Sequence, residues 1–296
     1  MTTFSQLIDQ TLQVLQGFGL QQPRATFLDQ PVNETDLVWN VRDTTSFSQG
    51  VAEIGSEIVF VESVDDDAKT VTIAPDGRGY YGTPASAHPA NTRLTANPPF
   101  PRNRVKDALN DAVIGTWPVL FGQDQHQFTY NAVVNTYSLP DDVESVLLVT
   151  ADTIGPTREQ QVVRRYAFDS NAPLDEWISG NTITLQEGCF PGVTVTVTYR
   201  KKPSMLSEEQ EFSESGLQET AKVAVKYAAA SQLVTLMDPA YLTVASAESE
   251  AYDERNPLGT ASRIANQLYA RYELELDLER RRLRATSPVP INVRNR

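Results

Sequence analysis

The spacing of apolar residues along the chain changes its period several times. Residues 3–16 repeat apolar side chains every three or four positions, which predicts an amphipathic helix. From residue 37 the repeat shortens to two, which is typical of strands, and near residue 100 it returns to the helical spacing. A second region with a period of two follows, and the last third is helical again. The chain therefore alternates between helical and β-rich segments.

Turn residues and helix breakers set the limits of the helical segments. Pro101 suits the first turn of a helix, and Pro239 follows an alanine-rich helical pattern. The pair Asn256–Pro257 predicts a break or kink in the last segment. The patch ELELDLE alternates as a strand would, but strong helix formers and the Asp277 to Arg281 spacing favour a helix. The predicted helices span 3–16, 101–116, 217–237 and about 242–284.

The period of two predicts two β-rich modules. The first spans about 36–98, and the aspartates at 65–67 lie where a hairpin must reverse. The second spans 119–203 and contains a predicted hairpin around Asn131 to Asn135 and a single strand in QQVVRRYAFDS. Its strictest alternation precedes Pro203, at Val193, Val195, Val197 and Tyr199.

These segments predict an α+β fold: a bundle of about four helices with two β-rich insertions, each a small barrel or sandwich, and an extended C-terminal tail. The helices would form one antiparallel bundle, with each β module inserted between two successive helices. The predicted divisions are an N-terminal helix and loop (1–30), a β module (36–98), a bundle helix (99–118), a second β-rich module (119–203), C-terminal helices (214–284) and an extended basic tail (285–296).

Charge is distributed unevenly. The formal net charge is −13, but residues 280–296 contain six arginines and no acidic residue. The acidic body would repel nucleic acid, whereas the basic end suits phosphate or an acidic protein surface. No apolar run approaches the ~18 residues that cross a bilayer, and the N-terminus has no signal-peptide pattern. One cysteine, Cys189, excludes an internal disulfide framework.

The sequence contains no strong catalytic motif. His88 is interpreted as a structural or exposed loop residue and His126 as a polar turn residue, because neither has an evident catalytic partner. The run Asp65 to Asp67 lacks the glycine and distal glutamate of a calcium loop and is interpreted as a turn. The stretch PDGRGYYGT lacks the residues of a phosphate-binding loop. We predict no catalytic residue, no metal site and no cofactor.

Two alternatives of other classes stay open. One is a carbohydrate-active hydrolase that uses a pair of the many acidic residues. The other is a sugar- or peptide-binding module with Tyr80, Tyr81 and Trp39 as its surface.

The layout as a whole resembles the head-to-tail adaptor, or connector, proteins of tailed bacteriophages. The resemblance is carried by a short N-terminal helix, β insertions, an alanine-rich helix, a long charged helix and a proline- and arginine-containing tail. The stretch GRGYYGTPASAHPANTRLTANPPFPRNRVKDALNDAV looks like a junction between a β module and a helix in larger versions of that family. The high β content departs from the mainly helical smaller members and leaves other neck, tail or baseplate proteins as alternatives.

The resemblance implies a structural virion protein made in the host cytoplasm. It implies a homo-oligomeric ring, commonly of twelve copies, with a portal protein on one side and a neck protein on the other. DNA would pass through the ring without specific binding, and no membrane would be contacted. The predicted portal-binding residues are Arg280, Arg281, Arg282, Arg284, Pro288, Pro290, Arg294 and Arg296. The predicted subunit-interface residues are Tyr80, Tyr81, Ala221, Val225 and Ala229.

Overall fold

The computed structural model describes residues 2–16, 24–45, 47–154, 159–235 and 260–287. Across these residues the chain forms 13 strands in three antiparallel sheets and four α-helices. It divides into two units, of which unit 1 comprises Met1–Phe4, Ala112–Val225 and Arg271–Arg296. Unit 2 comprises Ser5–Asp111 and Lys226–Ala270. None of the described helices combines the length and apolar content that a membrane span requires.

Unit 2 contains a six-stranded sheet that curls into a half-barrel. Its order is β1-β6-β3-β4-β5-β2, and a single bridge between Leu28 and Val41 links the two edge strands. Alternate side chains point inward and form one core that includes Trp39, Val59 and Leu94. The strands are β1 (Arg24–Phe27), β2 (Val38–Asn40), β3 (Gly50–Ile54), β4 (Glu57–Asp65), β5 (Thr70–Ile73) and β6 (Arg93–Ala96).

Unit 1 contains two sheets that share a core. The four-stranded sheet has the order β10-β9-β13-β7, and the three-stranded sheet has the order β11-β12-β8. Val195 and Val197 from the first sheet and Ile183 and Leu185 from the second belong to the same buried cluster. The strands are β7 (Gly122–Thr129), β8 (Thr136–Ser138), β9 (Ser145–Asp152), β10 (Gln160–Val162), β11 (Tyr166–Asp169), β12 (Thr182–Leu185) and β13 (Thr194–Lys201).

The helices are α1 (Phe4–Gln16), α2 (Arg102–Gly115), α3 (Lys222–Thr235) and α4 (Thr260–Thr286). Within unit 2, Arg102 at the start of α2 donates hydrogen bonds to the carbonyl and hydroxyl oxygens of Ser5 and to the Asp9 carboxylate, both in α1. Within unit 1, the Thr220 hydroxyl donates to Glu279 of α4 at 2.8 Å. The predicted break at Asn256–Pro257 lies outside the described residues.

The predicted helical bundle with two β insertions is wrong, because the described part of the chain is mostly β and has three sheets. The helices do exist, and ELELDLE is helical as predicted. An apolar stripe shows that a helix packs against something, but it does not identify what. Here two large core clusters are built from strands, so the sheets organise the architecture.

Several segment boundaries also differ from the prediction. Residues 24–27, predicted as loop, form β1 and pair with β6. The predicted helix 217–237 begins only at Lys222, after a 3-10 turn at Glu219–Ala221. The predicted start of the extended tail at residue 285 is wrong, because α4 continues to Thr286.

Two predicted strand arrangements are also wrong. The predicted hairpin around Asn131 to Asn135 does not form, since β7 pairs with β13 and β8 pairs with β12 in another sheet. The predicted single strand in QQVVRRYAFDS is divided between β10 and β11, which belong to different sheets. In both cases the apolar alternation marks strand character but carries no information about the partner strand.

Candidate functional sites

Glu57 is the centre of a buried polar cluster in unit 2. It is the first residue of β4, directly after the turn at Gly55 and Ser56, and its side chain is fully buried. Its carboxylate accepts hydrogen bonds from Arg78, His88 and the backbone N–H groups of Gly79 and Ser86. A charged carboxylate can be buried when its oxygens are satisfied in this way.

Arg78 uses every N–H donor of its guanidinium. Nε and Nη2 donate to the two oxygens of Glu57 at 2.7 and 3.1 Å. Nη1 donates to the carbonyl oxygens of Asn33 and Asp36, and Nη2 also donates to that of Ser86. The guanidinium lies 5.0 Å from the ring centroid of Trp39. Arg78 therefore connects two stretches of backbone, the turn of residues 33–36 and the loop at Ser86, to the start of β4.

The pKa of Glu57 reflects this environment. Burial raises the pKa, but the hydrogen bonds from His88, Arg78 and the backbone N–H groups of Ser86 and Gly79 outweigh it and hold the pKa at about 2. The carboxylate is consequently ionised at neutral pH and is a poor proton acceptor there.

Ser86, His88 and Glu57 superficially suggest a hydrolase triad, but their geometry differs from one. Ser86 Oγ lies 3.3 Å and Glu57 Oε2 lies 2.8 Å from the same nitrogen, Nε2 of His88. In a triad the hydroxyl and the carboxylate engage opposite nitrogens, so that the imidazole can take a proton from one while held by the other. These hydrogen bonds hold the loop of residues 77–92, called the braced loop below, against the six-stranded sheet.

Tyr81 is presented at the surface by the braced loop. Its side chain is 75% exposed, whereas Tyr80 packs with a ring-centroid distance of 5.4 Å to Phe60 and 4.4 Å to Tyr81. Gly79, Tyr81 and Gly82 all have positive φ angles, of 61°, 56° and 77°. For tyrosine this conformation costs about 1–2 kcal/mol, which the surrounding structure must offset. The interface role of Tyr80 and Tyr81 stays a prediction.

The predicted ligand surface of Tyr80, Tyr81 and Trp39 is wrong in one member. Trp39 is fully buried, and its Nε1 donates to the carbonyl oxygen of Asp36 at 2.8 Å. The predicted interface positions Ala221, Val225 and Ala229 are also buried within the chain, with at most 2% exposure. These alanine and valine side chains have no surface left for a neighbouring subunit, so that part of the prediction is wrong.

The end of α4 carries the predicted arginine cluster. Arg281 pairs with Asp277 at 2.6 Å, and Arg282 pairs with Glu279, whose side chain is buried. Arg280 and Arg284 are exposed, and the described residues provide neither with an ion pair. The Glu279 contact with Thr220 fixes the helix end in unit 1. The predicted partner residues Pro288, Pro290, Arg294 and Arg296 lie outside the described residues.

The remaining candidate residues have structural surroundings. Asp65 Oδ1 accepts the backbone N–H groups of Asp67 and Ala68, which closes the predicted turn between β4 and β5. His126 lies in β7 and not in a turn, which corrects that prediction. His88 is a buried structural residue. The described residues contain no group of three histidine, cysteine or acidic side chains placed to hold a metal ion.

Sequence reasoning missed the Glu57–Arg78 pair. A charged residue at the start of the apolar strand EIVFV was a signal, because such a residue needs a partner when the strand is buried. The partner lies 21 residues away in a loop, and no spacing rule connects the two.

Comparison with known proteins adds no assignment. No protein-family model matches the chain, and no curated protein matches it significantly.

Proposed function

We propose that this chain is a structural subunit of a tailed-bacteriophage virion, a head-to-tail adaptor that forms a ring between portal and tail. The observation that carries the proposal is the exposed arginine cluster Arg280 to Arg284 at the end of α4, on a chain whose net charge is −13. The helix end is anchored by buried Glu279, so the arginines form a positioned basic surface. Such a surface suits an acidic patch on a portal protein.

The braced loop supports the same proposal from unit 2. An exposed tyrosine on a rigid loop contributes a large contact area without much loss of conformational freedom, which is typical of subunit contacts. In the proposed ring, commonly of twelve copies, Tyr81 contacts a neighbouring subunit, and a neck protein binds on the tail side. The acidic body lines a channel through which DNA passes without adhering. The role is structural and not enzymatic.

The test is the copy number and symmetry of this chain in its native particle, determined by imaging. A twelvefold ring beside a portal-like partner is the expected result. A sixfold or threefold position would move the protein to the tail or baseplate, and a monomer absent from particles would contradict the proposal.

A charge-reversal experiment tests the arginine surface directly. The double variant Arg280→Glu/Arg284→Glu should fold normally but enter particles at least about tenfold less, since reversed charges would repel an acidic partner. Arg263→Glu, an exposed arginine near the other end of α4, is the matched control and should assemble normally. Equal incorporation of both variants would remove the arginine surface from the proposal.

A further inference from the structure

A cleft lies in unit 1 between the paired strands β9 and β10 and the loop of residues 186–193, which joins β12 to β13. Asp152 and Val162 line it from the strands, and Cys189 and Phe190 line it from the loop. Its volume is about 60 Å³. Small-molecule sites usually enclose at least about 300 Å³, so this cleft fits the end of one side chain and not a ligand of that kind.

The lining of the cleft combines apolar and acidic side chains. Val162 and Phe190 supply apolar surface, and Phe190 is 63% exposed. The carboxylates of Asp152 and Glu187 belong to the same lining. An ionised carboxylate accepts hydrogen bonds and donates none. The cleft therefore suits a side chain that joins an aromatic ring to a hydrogen-bond donor, as tyrosine does.

Tyr81 presents such a side chain on unit 2. At 75% exposure it is the most exposed aromatic residue in the described part of the chain. The braced loop holds it in place, because Glu57 accepts the backbone N–H groups of Gly79 and Ser86 on either side of it. Its positive φ of 56° is unfavourable for a tyrosine, and strained backbone of this kind is concentrated at binding sites.

Tyr81 and the cleft are two different surfaces of the same chain. Each copy therefore offers one projecting ring and one cleft, and a contact between the two surfaces in neighbouring copies is heterologous. Contacts of this type generate a closed ring when the rotation from copy to copy closes.

We infer that the cleft of one copy receives the Tyr81 side chain of a neighbouring copy. The ring packs against Val162 and Phe190, and the hydroxyl donates to a carboxylate of the cleft, Asp152 or Glu187. This inference rests on the proposed ring, and it names the surface that the exposed tyrosine contacts there.

The half-buried thiol of Cys189 allows the cleft to be filled and emptied in the unaltered chain, since the chain has one cysteine. Benzyl methanethiosulfonate attaches a benzyl group to this thiol through a disulfide. The label should lower the fraction of chain in rings at least about tenfold, as measured by the mass of the purified oligomer. Reduction removes the label and should restore assembly, which distinguishes a filled cleft from irreversible unfolding. Normal assembly of the labelled chain would overturn the inference.

A label elsewhere on unit 1 is the matched control. Val133 is 89% exposed, so the double variant Cys189→Ser/Val133→Cys carries the same benzyl group away from the cleft. This variant should form rings with and without the label. An equal loss of assembly there would attribute the effect to the label and not to the cleft, and would overturn the inference.

Combining the label with Tyr81→Gly connects the cleft to Tyr81. At a concentration where this variant still assembles in part, the label should cause no further loss, because the contact that it blocks is already absent. A further loss of the same size would mean that another group occupies the cleft, which contradicts the inference. Rings in the native particle would then leave the proposed function standing, whereas particles without such rings would remove both.

Discussion

Arg78 and Glu57 form a buried, two-point ion pair in which the guanidinium Nε and Nη2 lie 2.7 and 3.1 Å from the two carboxylate oxygens. Both side chains are almost fully buried, with 7% and 0% exposure. The pair fixes the loop of residues 77–92 on the β3–β4 hairpin, because the carboxylate also accepts the N–H groups of Gly79 and Ser86. The exposed position of Tyr81 depends on this contact.

Removing Arg78 should strongly destabilise unit 2. Arg78→Met leaves the Glu57 carboxylate buried without its main partner, which typically costs about 3–5 kcal/mol. The measurement is the urea dependence of hydrogen exchange at the amides of β3 to β6. Arg93→Met, at an exposed position of β6, is the control and should change the free energy of unfolding by less than about 0.5 kcal/mol. Equal effects of the two variants would show that the ion pair contributes no specific stability.

Acid should weaken unit 2 through Glu57. Its pKa in the folded chain is about 2, below the ordinary value of 4.5, so its stabilising contribution is complete above pH 4.5 and is lost as the pH falls towards 2. A difference of this size corresponds to about 3 kcal/mol. Unfolding free energies measured between pH 6 and pH 2 should show this loss. Glu57→Gln should lack the Glu57 part of the pH dependence, and an unchanged pH profile in that variant would contradict the assignment.

The sequence predicts local structure well where neighbouring residues determine it. The β4–β5 hairpin forms as predicted because Asp65 caps its own turn through two backbone N–H groups. The helical character of ELELDLE also follows from local propensity and i,i+4 pairing, as in Arg281 with Asp277.

Partners distant in sequence could not be predicted in the same way. The strand β7 shows clear alternation, yet its partner β13 begins 65 residues after β7 ends. Nothing in a period of two distinguishes this partner from the nearer β8. The contact between Glu57 and Arg78 could not be predicted for the same reason, because the two residues are 21 positions apart and no local sequence pattern pairs them.

Asn181 provides a comparable test in unit 1. Its buried Nδ2 donates to the carbonyl oxygens of Pro140, Asp141 and Val143, at 2.9, 3.2 and 3.3 Å. Asn181→Asp keeps the shape of the side chain but places a carboxylate against three carbonyl oxygens. This change should lower the free energy of unfolding of unit 1 by about 3 kcal/mol. Hydrogen exchange at β12 and β13 measures this effect. Asn171→Asp, at an exposed position, is the control, and a similar loss there would attribute the effect to added charge alone.

Tyr81 is expected to lower the stability of the subunit while promoting its assembly. Its φ of 56° is unfavourable for tyrosine and favourable for glycine, so Tyr81→Gly should leave the free energy of unfolding unchanged or raise it by about 1 kcal/mol. The same change removes the exposed ring and should reduce ring formation, as measured by the mass of the purified oligomer.

Two matched variants separate the aromatic contact from the backbone effect. Tyr81→Asn also tolerates the positive φ, so it should share the stability and the assembly defect of Tyr81→Gly. Val38→Thr changes another exposed apolar side chain of unit 2 and should assemble normally. If Tyr81→Gly forms rings as the unaltered chain does, Tyr81 is not a subunit contact. If Tyr81→Gly instead lowers the free energy of unfolding, the Tyr81 ring stabilises the loop by packing on Tyr80. That packing would then outweigh the free-energy cost of the positive φ angle at Tyr81.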